Sequence, residues 1–187
     1  MSVVRSIEGE YKRYKALADA AIAQVSDEEL LVAAPGGGNS IDMMVRHIAG
    51  NLHARFTDFR TSDGEKPWRH RDDEFEAAPM SRSELLEMWE TGWRTLFGAV
   101  GALSDTDLAD TVTIRQQPLR IDEALHRSLA HSAYHVGQIV FVAKAMRGDA
   151  WRCLSIPRGM SEAFNKKAAS GMQTAAAHAD WLTKPTS

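Results

Sequence analysis

Along most of the chain, apolar residues recur at intervals of three and four, the spacing of helices that lay one face on a core. From about Val3 to Val25 the apolar positions are Ile7, Tyr11, Tyr14, Leu17, Ala18, Ala21 and Val25, which predicts a first long helix. Ser26-Asp27-Glu28-Glu29 predicts a break and a short turn, and PGGGNS at 35–40 a loop. Ser40 stands as N-cap of a second helix, Ile41 to about Phe59, with Ile41, Val45, Ile48, Leu52 and Phe59 as its stripe. Ser81 followed by Glu84 reads as a capping box for a third helix, about Arg82 to Leu103. A fourth, about Asp122 to Met146, carries Leu125, Leu129, Val136, Ile139, Val140, Ala143 and Met146 on one face.

The period is lost between these segments. TSDGEKPWRHRDDEF, Thr61 to Phe75, is polar and punctuated by Gly64 and Pro67, so a long loop is expected there. TVTIRQQPLRI, Thr111 to Ile121, alternates briefly like a small hairpin, and WRCLSIPRG, Trp151 to Gly159, is irregular. Ser161 caps a last expected helix through Trp181, which Gly171 weakens. Long helices with almost no strand predict an all-α fold, a four-helix bundle with long interhelical loops. Residues 1–167 form that bundle, and 168–187 a helical tail to which the sequence assigns no role.

Composition narrows the function. With 44% hydrophobic and 25% charged residues, the chain has the balance of a globular domain. A formal net charge of -3 provides no basic field for nucleic acid or an anionic membrane. Neither a membrane-spanning apolar run nor a signal-peptide core stands in the sequence, so a cytoplasmic location is expected. Cys153 is the single cysteine, which excludes an internal disulfide and a cysteine-based zinc knuckle.

Of the seven histidines, His131 and His135 lie four positions apart, flanking the apolar stripe of the fourth helix. One helical turn separates them by about 40° and roughly 6 Å, so the two rings can aim at a common point. His47 stands in the same relation to the stripe of the second helix. Were those flanks to face each other, three imidazoles would converge, a set that suits a divalent transition ion and leaves positions open for water or substrate. The bland alternative is histidines that satisfy hydrogen bonds at a bundle edge, since the zincin pattern needs a glutamate where Ser132 stands. His53, His70, His126 and His178 read as ordinary polar residues.

SIDMMVRHIAGNLHARFTDFRTSDGEKPWRHRDDEF from Ser40, AHSAYHVGQIVFVAKAM from Ala130 and LSIPRGMSEAFN after it resemble the DinB/YfiT-like superfamily of metalloenzymes. Within it they are similar to an uncharacterised bacterial branch with a GEKPWRxRD loop. The resemblance runs from the first helix to about Asn165. It implies a four-helix bundle whose second helix supplies one ligand, His47, and whose fourth supplies two, His131 and His135. The implied cofactor is zinc or nickel foremost, with iron or manganese as alternatives. The implied substrate is a small molecule, with low-molecular-weight thiols such as mycothiol or bacillithiol serving characterised relatives, so thiol transfer and hydrolysis are the reactions to consider. A homodimer is expected, with Trp89, Trp93, Leu96 and Val100 offering aromatic area for pairing.

Lys66, Trp68, Arg69, Arg71 and Arg158 admit two readings. Either they line the mouth of the metal pocket and hold an anionic substrate group, or Trp68 plugs the core while the charges pair with Asp63, Asp72 and Asp73. Tyr134 stands beside the histidine pair as proton donor or packing residue. Asn51 and Gln138 are within reach of the ligand rings. The rival to an enzyme is a non-catalytic, metal-stabilised bundle acting as a binding or stress-related protein.

Overall fold

A computed structural model describes residues 2–78 and 80–168. It is mostly helical, with four long helices. Helix α1 spans Val3–Ile22 and a five-residue helix, α2, spans Asp27–Leu31; α3 spans Ile41–Phe56 and α4 Arg82–Gly101. Two short strands, β1 (Thr111–Ile114) and β2 (Gln117–Arg120), precede α5 (Ile121–Arg147), and α6 begins at Ser161 and is described to Ala168. The rest of the expected last helix lies outside the described residues. Helices α1 and α3 each pack against both α4 and α5 around one core. The four long helices match the predicted segments: α1, α3 and α4 end two or three residues early and α5 runs one residue longer at each end; Phe59 falls beyond α3 yet remains buried.

Local sequence explains the helix starts. Ser26 with Glu29 and Ser81 with Glu84 form reciprocal capping boxes. Ser40 precedes α3 as expected, but its hydroxyl donates to the Asp42 carboxylate instead of capping the backbone. The hairpin pairs Thr111 with Arg120 and Ile114 with Gln117. The core holds the predicted stripes, with Trp89, Trp93, Leu96 and Val100 wholly inaccessible. That corrects the pairing surface expected on α4: Trp89 reaches across to α1, where its Nε1 donates to Asp19 Oδ1 at 2.7 Å, so the stripe is interior. No helix among the described residues is long and apolar enough to cross a membrane.

Two contacts set the frame of the site. Gly92 lets α4 press on α3: a Cβ there would stand 2.7 Å from the Ala49 carbonyl oxygen and 2.8 Å from its Cα. Arg46 of α3, buried, fastens the loop after α3 to the bundle. Its guanidinium donates to the carbonyl oxygens of Asp73 (2.9 Å) and Glu76 (2.6 Å) and pairs with Asp42 at 3.2 Å. Glu74 and Phe75 lie between those carbonyls, on the segment so fastened against α3, and Glu74 bonds His47 there.

Candidate metal centre

His47 projects from the middle of α3, and His131 and His135 from consecutive turns of α5. Their rings form a closed triangle, with centroids 5.1, 4.8 and 4.7 Å apart and planes inclined by 70–74°. One nitrogen from each lies within 4.8 Å of the others, and Nε2 of His47 is 3.0 Å from Nε2 of His131. In a tetrahedral site with bonds of about 2.0–2.2 Å, ligand nitrogens stand roughly 3.3–3.6 Å apart, so the triangle needs to contract by up to about an ångström to grip one ion.

Two of the three rings have a partner that selects their tautomer. A Glu74 carboxylate oxygen accepts from His47 Nδ1 at 2.8 Å, and Gln138 Oε1 accepts from His135 Nδ1 at 2.8 Å. With both Nδ1 atoms carrying their protons outward, both Nε2 atoms keep their lone pairs for the centre of the triangle. His131 has no such support: its Nδ1 is buried without a partner. Burial, aided by the charges of its neighbours His135 and His47, pushes His131 down to about 4. Burial and His47 lower His135 as well, against the Gln138 hydrogen bond. The site thus favours neutral, metal-ready imidazole.

Glu74 is itself clamped. Arg69 donates to both its oxygens, at 2.8 and 2.9 Å. Burial alone would raise the Glu74 carboxyl, but the hydrogen bonds from His47 and Arg69 outweigh it and hold the group below its ordinary value. Gly50, one turn after His47, makes room: any Cβ there would collide with Glu74 Oε1. Glu74, Arg46 and Gly50 were not among the residues singled out in the sequence. Asn51 does not partner His47; the loop carboxylate takes that place.

A cavity of about 230 Å³ opens beside His47 and His131. Arg69 and Arg71 line it, as one reading of the loop expected, whereas Arg158 does not. Arg69 pairs with Glu74 and Arg71 with Asp72. Lys66 is buried but turns inward on its own loop, donating to Ser62 Oγ and to the Asp63 carbonyl. Trp68 neither plugs the core nor lines the cavity; it is 48% exposed and rests on His53. His53 bonds to Thr95 and His126 to the Asp122 carbonyl, both ordinary roles. His70 is exposed, and His178 lies outside the described residues. Tyr134 is exposed, its ring edge-on to His135, and Cys153 is exposed with its sulfur 3.6 Å from the Ser155 hydroxyl.

Fold and site together define a mostly helical protein with a three-histidine group able to hold a metal ion. The chain belongs to the family described as protein of unknown function (DUF1572), whose family model matches residues 1–160. No curated protein matches it, and no solved structure does.

Proposed function

We propose that the protein is a metal-dependent enzyme of the DinB/YfiT-like superfamily, with His47, His131 and His135 as the ligands of one divalent transition ion. Zinc or nickel is the first expectation, with iron or manganese as alternatives, because imidazole accepts all four. The observation that carries this reading is the commitment of His47 and His135 Nδ1 to Glu74 and Gln138, which frees both Nε2 lone pairs in a group where one nitrogen of each of three rings lies within 4.8 Å of the others. No fourth histidine, cysteine or carboxylate joins the group among the described residues. Three protein ligands with a cavity alongside is the pattern of a catalytic site; a structural site closes its shell with a fourth.

A bound divalent ion would supply Lewis-acid polarisation and bring the pKa of a water or thiol toward neutrality. The chain's own residues orient the ligands and shape the cavity. Glu74 fixes the His47 ring, Arg69 keeps Glu74 ionised, and Gln138 fixes His135. Because Glu74 is occupied on both oxygens, no free carboxylate touches the ligand triangle among the described residues. A thiol, which ionises far more readily than water, needs less help from a base. This favours transfer of a low-molecular-weight thiol to an electrophile over hydrolysis. A homodimer remains part of the proposal, through a face other than the buried tryptophan stripe; a monomer mass in light scattering at micromolar concentration would remove it. Elemental analysis of the natively purified protein tests the centre. One equivalent of metal is expected in the parent and in His126→Ala, and most of it should be gone in His135→Ala. Equal metal in the two variants overturns the assignment.

A further inference from the structure

We propose that the cavity beside the histidine triangle binds the oxyanion end, carboxylate or phosphate, of a small molecule, held by Arg55, Arg115 and Arg127. The inference names the charge of the substrate and rests on the metal reading only for where the reacting end lies.

The three guanidiniums arrive from three elements: Arg55 from the last turn of α3, Arg115 from the hairpin tip, Arg127 from the second turn of α5. No aspartate or glutamate lines the cavity, although the chain as a whole is net negative. Glu65 bonds Arg115 at 2.9 Å and Arg55 at 3.3 Å, so one carboxylate serves two guanidiniums. Arg127 has no ion-pair partner among the described residues. The group therefore keeps an excess of positive charge around a cavity whose inner guanidinium, Arg55, is mostly buried, while Arg115 and Arg127 stand exposed at its rim.

Arg55 Nη1 is buried with no hydrogen-bond partner. A buried guanidinium N–H left unpaired is costly, so such a donor is expected to meet an acceptor that the chain does not provide. Burial lowers the Arg55 pKa; Glu65 opposes that, and Arg115, Arg69 and Arg127 add to it. An arriving oxyanion relieves this crowding and takes up the free donor, and a guanidinium fork matches carboxylate and phosphate alike.

The hairpin tip is held for this task. Arg115 and Gln116 both have positive φ, 54° and 62°, where a tight hairpin turn favours asparagine or glycine. The Asp63 carboxylate compensates by accepting both their N–H groups, at 2.8 and 2.7 Å. Gly64 next to it donates to the Thr113 carbonyl at 2.8 Å, and a Cβ there would stand 3.2 Å from both Arg55 Cδ and Ile114 Cγ1. Phe56, Phe59 and Ile114 add an apolar wall, suited to the carbon body of the ligand. The volume is that of roughly eight waters, which fits a small metabolite and not a polymer.

Calorimetry on the full chain, stripped of metal by chelator and held at constant ionic strength with chloride, tests the site with inorganic phosphate and with succinate. Saturable one-to-one binding of either probe is expected, and the probe that binds tells phosphate from carboxylate. Arg127→Leu and Arg55→Leu should each weaken it about tenfold or more while metal content in reloaded protein stays at the parental level. Arg127 is exposed, so its variant keeps the fold and decides the matter even if Arg55→Leu does not fold. Absence of saturable binding of both probes, or parental affinity in Arg127→Leu, overturns the proposal. His135→Ala separates the two readings: it should lose metal and keep anion affinity within roughly twofold. Retained metal in that variant would strike the metal reading and leave the arginine site standing.

Discussion

Which nitrogen of His47 faces the ligand point is decided by Glu74, and whether Glu74 is present is decided by Gly50. Removing the carboxylate's charge in Glu74→Gln should lower metal affinity about 10–100-fold, the usual effect of losing a partner behind a ligating histidine. Gly50→Ala should do the same without altering any polar group, because its methyl displaces the Glu74 carboxylate. Competition with a chromogenic chelator on the folded variants checks both; unchanged affinity in Gly50→Ala would show that Glu74 is dispensable to the ligand. Of these residues, the histidine pair is legible from its i, i+4 spacing. Glu74 is not, for it follows Asp72 and Asp73 in a polar loop where nothing local distinguishes one acid from the next. The weak signal available was Gly50 itself, a helix residue without a side chain one turn from a candidate ligand. Arg127 and Arg55 had a clearer one. Arg127, His131 and His135 are four apart on α5, as are His47, Asn51 and Arg55 on α3, so each line of chemistry extended one turn further than the histidines suggested.

At the level of elements, α3 and α4 owe their closeness to one glycine. Gly92→Ala should lower stability by about 1–3 kcal/mol, since the added methyl meets backbone atoms of Ala49 and the helices must separate. Gly98→Ala on the same helix meets nothing within 4 Å, so helix propensity should act alone, with a gain of about 0.5–1 kcal/mol. Urea unfolding of the pair reads the contrast, and a loss in both variants would contradict it. Arg46→Met should release the segment around Glu74, making residues 72–76 newly sensitive to limited proteolysis and weakening metal binding in parallel. The helices and the hairpin were legible because each buries a periodic face. The fastening of the loop was not, because Arg46 acts on backbone carbonyls, which carry no sequence signature.

Across the whole molecule, an ion at the triangle would tie α3 to α5. Metal at a hundred times its dissociation constant should stabilise the fold by about 2.7 kcal/mol, a rise in unfolding temperature that chelator reverses. The metal-free protein should in turn lose stability as pH falls. Because the His131 pKa is about 4 when folded and about 6.5 when unfolded, the unfolded chain binds the extra proton first between those values, and the equilibrium shifts toward it. Chemical denaturation of chelated protein at several pH values reads this directly; a flat profile over that window would show His131 to be solvated. Fold-wide pairing of ligand, clamp and cavity also concentrates risk. His47, Arg46, Gly50 and Arg55 all hang on one 16-residue helix. A single residue inserted after His47 would leave a good helix but turn Gly50 and Arg55 by about 100° relative to the ligand. The family's freedom to vary in length should therefore lie in its connecting loops, with α3 intolerant of insertions and deletions even where its individual side chains can be exchanged.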